Sequence, residues 1–195
     1  MIDSEEFVLL VDDDDQAVGT AGKLEAHRHG LRHRALSVVI RDPRGRLLLQ
    51  KRAIGKYHSG GLWTNTCCSH PRPQEPVERA AQRRLLEEMG FSCELLPLLR
   101  VPYRADVGGG MIEDEIVHVF AGVYDGPLRP DPREAEGYAW VEPGELREEM
   151  QRMPARFSVW FRKYIIDHWT TLTGDPVWAQ LRGEAEASRG PDTPA

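Results

Sequence analysis

Residues 69–91, SHPRPQEPVERAAQRRLLEEMGF, contain the clearest helix signal in the chain. Pro76 lies near the start of the predicted helix over residues 76–89, the residues that follow are mostly good helix formers, and Gly90 comes after them as a stop. Strands are predicted on both sides of this helix. One long helix set among strands predicts an α+β fold, with a sheet clasped between helices.

The flanking elements follow from hydrophobic patterning. Residues 35–41 and 46–51 are β-rich runs separated by the turn signal Asp42-Pro43-Arg44-Gly45, which predicts a hairpin. Further strands are predicted over residues 8–11, 95–103, 116–124 and 137–141, and further helices over residues 143–153 and 158–172. We expect a single domain over residues 1–182, followed by a disordered tail over residues 183–195 that is small, polar and poor in apolar residues.

Composition excludes several functional classes. The chain has 195 residues, a net charge of −6 and 41% hydrophobic residues, which is typical of one soluble domain. A negative net charge argues against general nucleic-acid binding, and no apolar run is long enough to cross a membrane. The acidic N-terminus does not resemble a secretory signal, and three cysteines make a poor disulfide framework. We therefore expect a cytoplasmic protein, a monomer or weak homodimer.

Adjacent carboxylates mark the end of the predicted helix. Glu87 and Glu88 repel one another at the negative end of the helix dipole, so a positive group should compensate them. A hard cation such as Mg²⁺ suits carboxylates and a diphosphate together. The competing interpretation is an ordinary solvated pair, with an ion pair between Arg84 and Glu88.

The same stretch resembles the Nudix signature, in which Gly, five residues, Glu and seven residues precede Arg-Glu-apolar-x-Glu-Glu-x-Gly-apolar. The matching positions are Glu75, Arg83, Leu85, Glu87, Glu88, Gly90 and Phe91. Ser69 replaces the first Gly, and Arg84 replaces the Glu after Arg83. The resemblance implies a Nudix-type mixed sheet sandwiched between helices. A cation at Arg84 weakens the interpretation as a hydrolase, because Nudix hydrolases use that carboxylate set to hold metals.

Several further motifs resemble those of type I isopentenyl-diphosphate isomerases. Residues 63–71, WTNTCCSHP, match the family motif that carries the catalytic cysteine and a metal-binding histidine, and residues 112–116, IEDEI, match its E-x-E motif. The resemblance implies a metal site for Mn²⁺, Mg²⁺ or Zn²⁺ formed by His27, His33, His70, Glu113 and Glu115. Three imidazoles and two carboxylates also suit such an ion on chemical grounds. Taken singly, each of these five residues could be structural. Three other histidines, His58, His118 and His168, have no counterpart in the motifs, and we expect them to be structural or on the surface.

Moving the double bond of isopentenyl diphosphate to give dimethylallyl diphosphate needs two acid/base groups and the exclusion of water. The resemblance assigns these roles to Cys68, rather than Cys67, and to Glu115. Our hypothesis is that Glu115, supported by Tyr103, protonates the alkene, while Cys68 as thiolate removes the allylic proton. Trp160 matches the tryptophan that the family places over the carbocation, although an aromatic run at helical spacing is usually core.

The resemblance also implies how the substrate is held. Basic residues at family positions for diphosphate binding are Lys23, Arg52, Lys56 and Arg84, with Mg²⁺ at Glu88 completing the clamp. Two alternatives stay open from the sequence alone. One is a Nudix hydrolase of a diphosphate substrate, and the other is a catalytically inactive metal-binding module.

Overall fold

The computed structural model describes residues 6–189. The strands are β1 (Phe7–Val11), β2 (Ala17–Gly22), β3 (His33–Arg41), β4 (Leu47–Arg52), β5 (Trp63–Thr64), β6 (Cys67–Ser69), β7 (Leu96–Gly108), β8 (Met111–Val123) and β9 (Ala135–Val141). The helices are α1 (Lys23–His29), α2 (Val77–Met89), α3 (Pro143–Arg152), α4 (Val159–Asp167), α5 (Trp169–Gly174) and α6 (Val177–Arg189).

Strand β3 is the centre of a nine-stranded mixed sheet. It pairs antiparallel with β1, β4 and β6 and parallel with β8, while β7 pairs with β8 and β9 with β4. The parallel pairing with β8 is long and unbroken, running from His33 opposite Glu115 to Arg41 opposite Val123. The strands that carry the predicted site residues are therefore neighbours in one sheet.

Both faces of the sheet are covered, because side chains alternate along β3. Leu36, Val38 and Ile40 pack with the buried face of α2, whereas Ala35 and Val39 belong to the cluster built with α3–α6. The buried members of that second cluster from the C-terminal helices are Leu146, Met150, Trp160, Phe161, Tyr164, Ile165, Leu172, Trp178 and Leu181. The expected α+β fold, a mixed sheet sandwiched between helices, is confirmed.

The local predictions for the hairpin and the first long helix are confirmed. Strands β3 and β4 form the hairpin, and Asp42 closes its turn by accepting the backbone N–H of Arg46. Helix α2 ends at Gly90, whose φ of +74° is the left-handed conformation that favours glycine. A side chain at Gly90 would also lie 2.2 Å from the carbonyl oxygen of Arg129.

The C-terminal region differs from the prediction in two ways. The helix predicted over residues 158–172 breaks at His168 into α4 and α5. The carbonyl end of α5 then contacts Arg41, whose buried guanidinium donates to the carbonyls of Leu172 (2.7 Å) and Thr173 (3.2 Å). The sequence predicts a disordered tail from residue 183 onward, but helix α6 continues to Arg189. Ala and Glu, which are frequent in this stretch, are good helix formers. The rest of that predicted tail, residues 190–195, lies outside the described residues.

Helix α6 and the four short elements β2, α1, β5 and β6 were not predicted from the sequence. Over the described part of the chain, no helix has the length and apolar character needed to span a membrane.

Candidate active site

One cleft gathers most of the predicted site residues. Those that line it are Lys23, Arg52, Lys56, Cys68, His70, Arg84, Tyr103, Glu113, Glu115 and Trp160. They come from β4, β6, β7, β8, the helices α1, α2 and α4, and the loops between them. Residues far apart in the sequence therefore meet at one opening.

The sheet register places the centre of the site. Glu115 lies opposite His33 on β3 and opposite Tyr103 on β7, so these residues form one row across three strands. On the other side of β3, Cys68 on β6 lies opposite Ser37. His33 and Ser37 are four residues apart on β3 and therefore point to the same face of the sheet, and both Cys68 and Glu115 line the cleft on that face.

Three predicted metal ligands form a tight triangle. The Nε2 atoms of His33 and His70 are 3.2 Å apart, and Oε1 of Glu115 lies 2.9 Å from His70 Nε2 and 3.3 Å from His33 Nε2. Such separations suit neighbouring ligands of one divalent ion with bonds of about 2.1 Å. A ligand atom of His27 also lies within 4.8 Å of these three groups.

The tautomers of two histidines fit a metal. His27 Nδ1 lies 2.6 Å from the carbonyl of Lys23, and His33 Nδ1 lies 2.7 Å from the carbonyl of Leu31, so each Nδ1 donates its proton to the backbone. Each Nε2 is then left with a lone pair. Nε2 of the fully buried His27 has no hydrogen-bond partner among the described residues. Because a buried polar atom without a partner is costly, this donor set fits a divalent cation well.

Glu113 belongs to a second group of donors, with His27 and His58. Oε1 of Glu113 lies 3.1 Å from Nε2 of His58, and its Oε2 accepts the hydroxyl of Tyr103. The sequence predicts that Tyr103 supports Glu115. In the structure the Tyr103 hydroxyl contacts Glu113 instead, although the backbone of Tyr103 pairs with that of Glu115. His58, expected to be structural or on the surface, is buried in the site.

The surroundings shift the pKa values of the two carboxylates in opposite directions. Burial would raise the pKa of Glu115, but the contacts of its carboxylate with His33 and His70 outweigh burial and lower it well below the usual range, so Glu115 is ionised. Burial and the nearby charge of Glu115 instead raise the pKa of Glu113. Burial lowers the pKa of His70 to about 3 and that of His58 to about 2. Both rings are neutral at neutral pH, which is the form that binds metals.

The two adjacent cysteines face opposite sides of the sheet. Cys67 is fully buried in the cluster with α2, whereas Cys68 is partly exposed and lines the cleft. All cysteines of the chain are free thiols. This arrangement agrees with the choice of Cys68 over Cys67.

Polar groups surround the Cys68 sulfur. Trp160 Nε1–H donates to it at 3.0 Å, Asn65 Oδ1 lies at 3.0 Å, and the Ser37 hydroxyl lies at 3.4 Å. Burial nevertheless raises the pKa of Cys68 to about 12, although the hydrogen bond with Ser37 lowers it. This environment favours the thiol, whereas the sequence-based hypothesis assigns a thiolate to Cys68.

The predicted diphosphate-binding cations already have anionic or aromatic partners. Lys23 pairs with Glu6 at 2.9 Å, while Lys56 at 2.7 Å and Arg84 at 3.1 Å share Glu134. The Arg52 guanidinium lies 5.2 Å over the ring of Trp160. These four cations cluster at the cleft of an acidic protein, and their role in binding a diphosphate stays a prediction.

Glu88 lies apart from both donor groups and does not line the cleft. Its Oε1 accepts from Arg84 at 2.8 Å and its Oε2 from Gln50 at 3.0 Å, with the residue 2% exposed. The ion pair between Arg84 and Glu88, considered above as the competing interpretation, is present. A magnesium ion at Glu88 stays a prediction.

Comparison with known sequences identifies a family. Residues 31–161 match the NUDIX domain. An isopentenyl-diphosphate Delta-isomerase of Burkholderia multivorans is 50% identical over 157 residues, covering 80% of this chain and 89% of the relative. A protein of the same name from Serratia proteamaculans is 50% identical over 157 residues, covering 80% of this chain and 88% of the relative.

Solved structures agree on the fold. DR0079 from Deinococcus radiodurans has a TM-score of 0.62 at 18% identity, covering 78% of this chain and 91% of that chain. The MutT protein from Methanosarcina mazei Go1 has a TM-score of 0.57 at 15% identity, covering 82% and 96%. The sequence relatives and the shared fold together lead to one conclusion: the chain belongs to the NUDIX domain family and, within it, to the isopentenyl-diphosphate Delta-isomerases.

Proposed function

We propose that this protein interconverts isopentenyl diphosphate and dimethylallyl diphosphate in isoprenoid biosynthesis, using Cys68 and Glu115 as its acid/base pair. The observation that carries the proposal is the single cleft lined by Cys68, Glu115, Trp160 and four basic residues. The basic residues suit a diphosphate, and the partly buried thiol and buried carboxylate suit proton transfer to and from a hydrocarbon tail.

Isomerisation requires that one proton be added to the terminal alkene carbon and another be removed from the allylic carbon. The electron pair of the broken C–H bond forms the new double bond, so atoms and charge balance without a co-reactant. Cys68 and Glu115 lie on opposite sides of β3, on β6 and β8. In the ligand-free state Cys68 holds a proton and Glu115 does not. We propose that one group of the pair gives a proton to the substrate while the other removes a proton from it. The two roles exchange when the reaction runs in the opposite direction.

Trp160 serves the carbocation-like intermediate. It is buried, and its Nε1–H points to Thr64 (2.8 Å) and Cys68 (3.0 Å). An indole face stabilises a nearby cation by roughly 1–2 kcal/mol and keeps water away from it.

The proposed cofactor is a divalent ion, Mn²⁺, Mg²⁺ or Zn²⁺, held by His27, His33, His70, Glu113 and Glu115. The unpartnered Nε2 of His27 and the triangle around Glu115 support it. When bound, the ion supplies positive charge that holds Glu115 in place. A second ion, Mg²⁺, is proposed to accompany the diphosphate near Glu88. The free thiols support a reducing, cytoplasmic location.

The test is product analysis after incubation with isopentenyl diphosphate, with and without added Mg²⁺. We expect acid-labile allylic diphosphate from the wild type and none above background from Cys68→Ala or Glu115→Gln. Release of phosphate without allylic product would support the hydrolase instead. Unchanged turnover in either variant would remove that residue from the acid/base pair.

A further inference from the structure

His58 enters the site from the loop between β4 and β5, where the sequence carries no motif for it. The residue is 7% exposed, and its Nε2 lies 3.1 Å from Oε1 of Glu113, which is 4% exposed. A close pair at this depth strongly constrains both side chains, because neither can turn to water for a replacement partner.

The ring is fixed on its other sides as well. Its Nδ1 lies 3.3 Å from the hydroxyl of Ser59, and the ring packs edge-on against Tyr57 (4.4 Å) and Trp160 (5.8 Å). The backbone helps to aim it: Ser59 has a φ of +51°, and a side chain at Gly60 would lie 2.5 Å from the carbonyl oxygen of Ile54. The loop is thus held tightly around His58.

Glu113 is consequently held through both oxygens, by His58 at Oε1 and by Tyr103 at Oε2. Glu115 is held differently, since two imidazoles meet its Oε1 alone. The third member of the donor group formed by Glu113 and His58 is His27.

The hydrogen-bond partners of His58 satisfy its ring without a metal. A neutral ring with its proton on Nε2 donates to Glu113 and accepts the Ser59 hydroxyl at Nδ1, so both nitrogens have partners. Among the described residues, the buried Nε2 of His27 in contrast has no hydrogen-bond partner, so this nitrogen is available to bind an ion.

We propose that His58 is a positioning residue: it donates a hydrogen bond to Glu113 and orients that carboxylate, together with His27, toward the divalent metal. This inference rests on the metal centre of the proposed function. Outer-shell hydrogen bonds of this kind change metal affinity by roughly 10–100-fold.

The test compares two variants of similar size. His58→Phe keeps the packing against Tyr57 and Trp160 but removes the donor, whereas His58→Gln keeps an N–H donor near the position of Nε2. His29→Gln, at an exposed histidine, is the matched control. Metal-loaded full-length protein is titrated with a competing chelator to give the Mn²⁺ dissociation constant, and circular dichroism checks that each variant is folded.

We expect His58→Phe to weaken Mn²⁺ binding roughly 10–100-fold, and His58→Gln and His29→Gln to stay within about threefold of the wild type. Wild-type affinity in His58→Phe would overturn the proposal. Equal weakening in His58→Phe and His58→Gln would also overturn it, because the amide can donate but cannot replace an imidazole ligand. If His58→Phe does not fold, His58→Gln and His58→Ala provide the same comparison.

The readout separates this inference from the proposed function. Mn²⁺ affinity is measured without isopentenyl diphosphate, so a protein that binds metal as expected but does not isomerise would contradict only the proposed function. Isomerisation with no change of affinity in His58→Phe would contradict only the role of His58.

Discussion

The surroundings of Cys68 and of Glu115, on two sides of the cleft, shift the pKa values of these groups in opposite directions. Around Cys68, the partners are the neutral groups of Ser37, Asn65 and Trp160, and burial raises the pKa of the thiol to about 12. Around Glu115, the partners are two imidazoles, and their contacts with the carboxylate outweigh burial and lower its pKa. The neighbouring groups, rather than burial alone, therefore decide the direction in which each pKa shifts in this cleft.

The largest expected effect comes from removing the thiol. We expect Cys68→Ala to lower kcat by roughly 10²–10⁴-fold, since general acid/base groups contribute that much. Cys67→Ala is the matched control, because its side chain packs against α2 and not into the cleft. We expect that variant to keep turnover and to lose some stability, measured by urea unfolding. Equal loss of kcat in both variants would contradict the distinction between the cysteines.

The protonation state of the thiol is directly measurable. At pH 8, a pKa of about 12 leaves Cys68 with a thiolate population roughly 10³-fold below that of an ordinary cysteine. We expect alkylation of Cys68 in the ligand-free protein to rise about tenfold per pH unit from pH 8 to 10. The same peptide in urea-unfolded protein provides the reference, followed by mass spectrometry. A rate that levels off by pH 8 would show a thiolate at rest.

Around Glu115, the substitution with the largest expected effect on metal binding is His27→Ala. The Nε2 of His27 is buried and has no partner among residues 6–189, so removing the ring should weaken Mn²⁺ binding by at least about a hundredfold, beyond the effect of an outer-shell group. His29→Ala, on the same helix but exposed, should bind Mn²⁺ as the wild type does. Chelator competition gives both constants, and equal affinities would contradict the metal site.

A smaller effect on turnover is expected from the Ser37 hydroxyl beside Cys68. Ser37→Ala removes the hydroxyl that lies 3.4 Å from the Cys68 sulfur and 3.0 Å from the hydroxyl of Tyr164. Loss of one neutral hydrogen bond should lower kcat by roughly two- to tenfold and raise the pKa of Cys68 further. Tyr164→Phe keeps the contact between Ser37 and Cys68 and should lower kcat less. The opposite order would assign the effect to Tyr164.

Elements with strong local signals were predictable. Helix α2 was correctly placed because Pro76 and Gly90 bound it, and the hairpin because its turn chemistry is local. The short elements β2, α1, β5 and β6 were missed because each is too short to show a clear hydrophobic period. The single helix predicted over residues 158–172 breaks at His168, where the carbonyl end of α5 binds Arg41, a residue on β3 that is distant in sequence.

The sequence by itself determined the family, because several spaced motifs occur together. It also predicted residues that the structure brings to one cleft, namely Cys68, Glu115, Trp160 and the four basic residues. Only the tertiary structure decided how these members touch. It assigned the Tyr103 hydroxyl to Glu113, paired Glu88 with Arg84 and Gln50, and brought His58 into the site. The physical reason is that side-chain partners and pKa values depend on burial and on contacts across strands, which spacing along the chain does not contain.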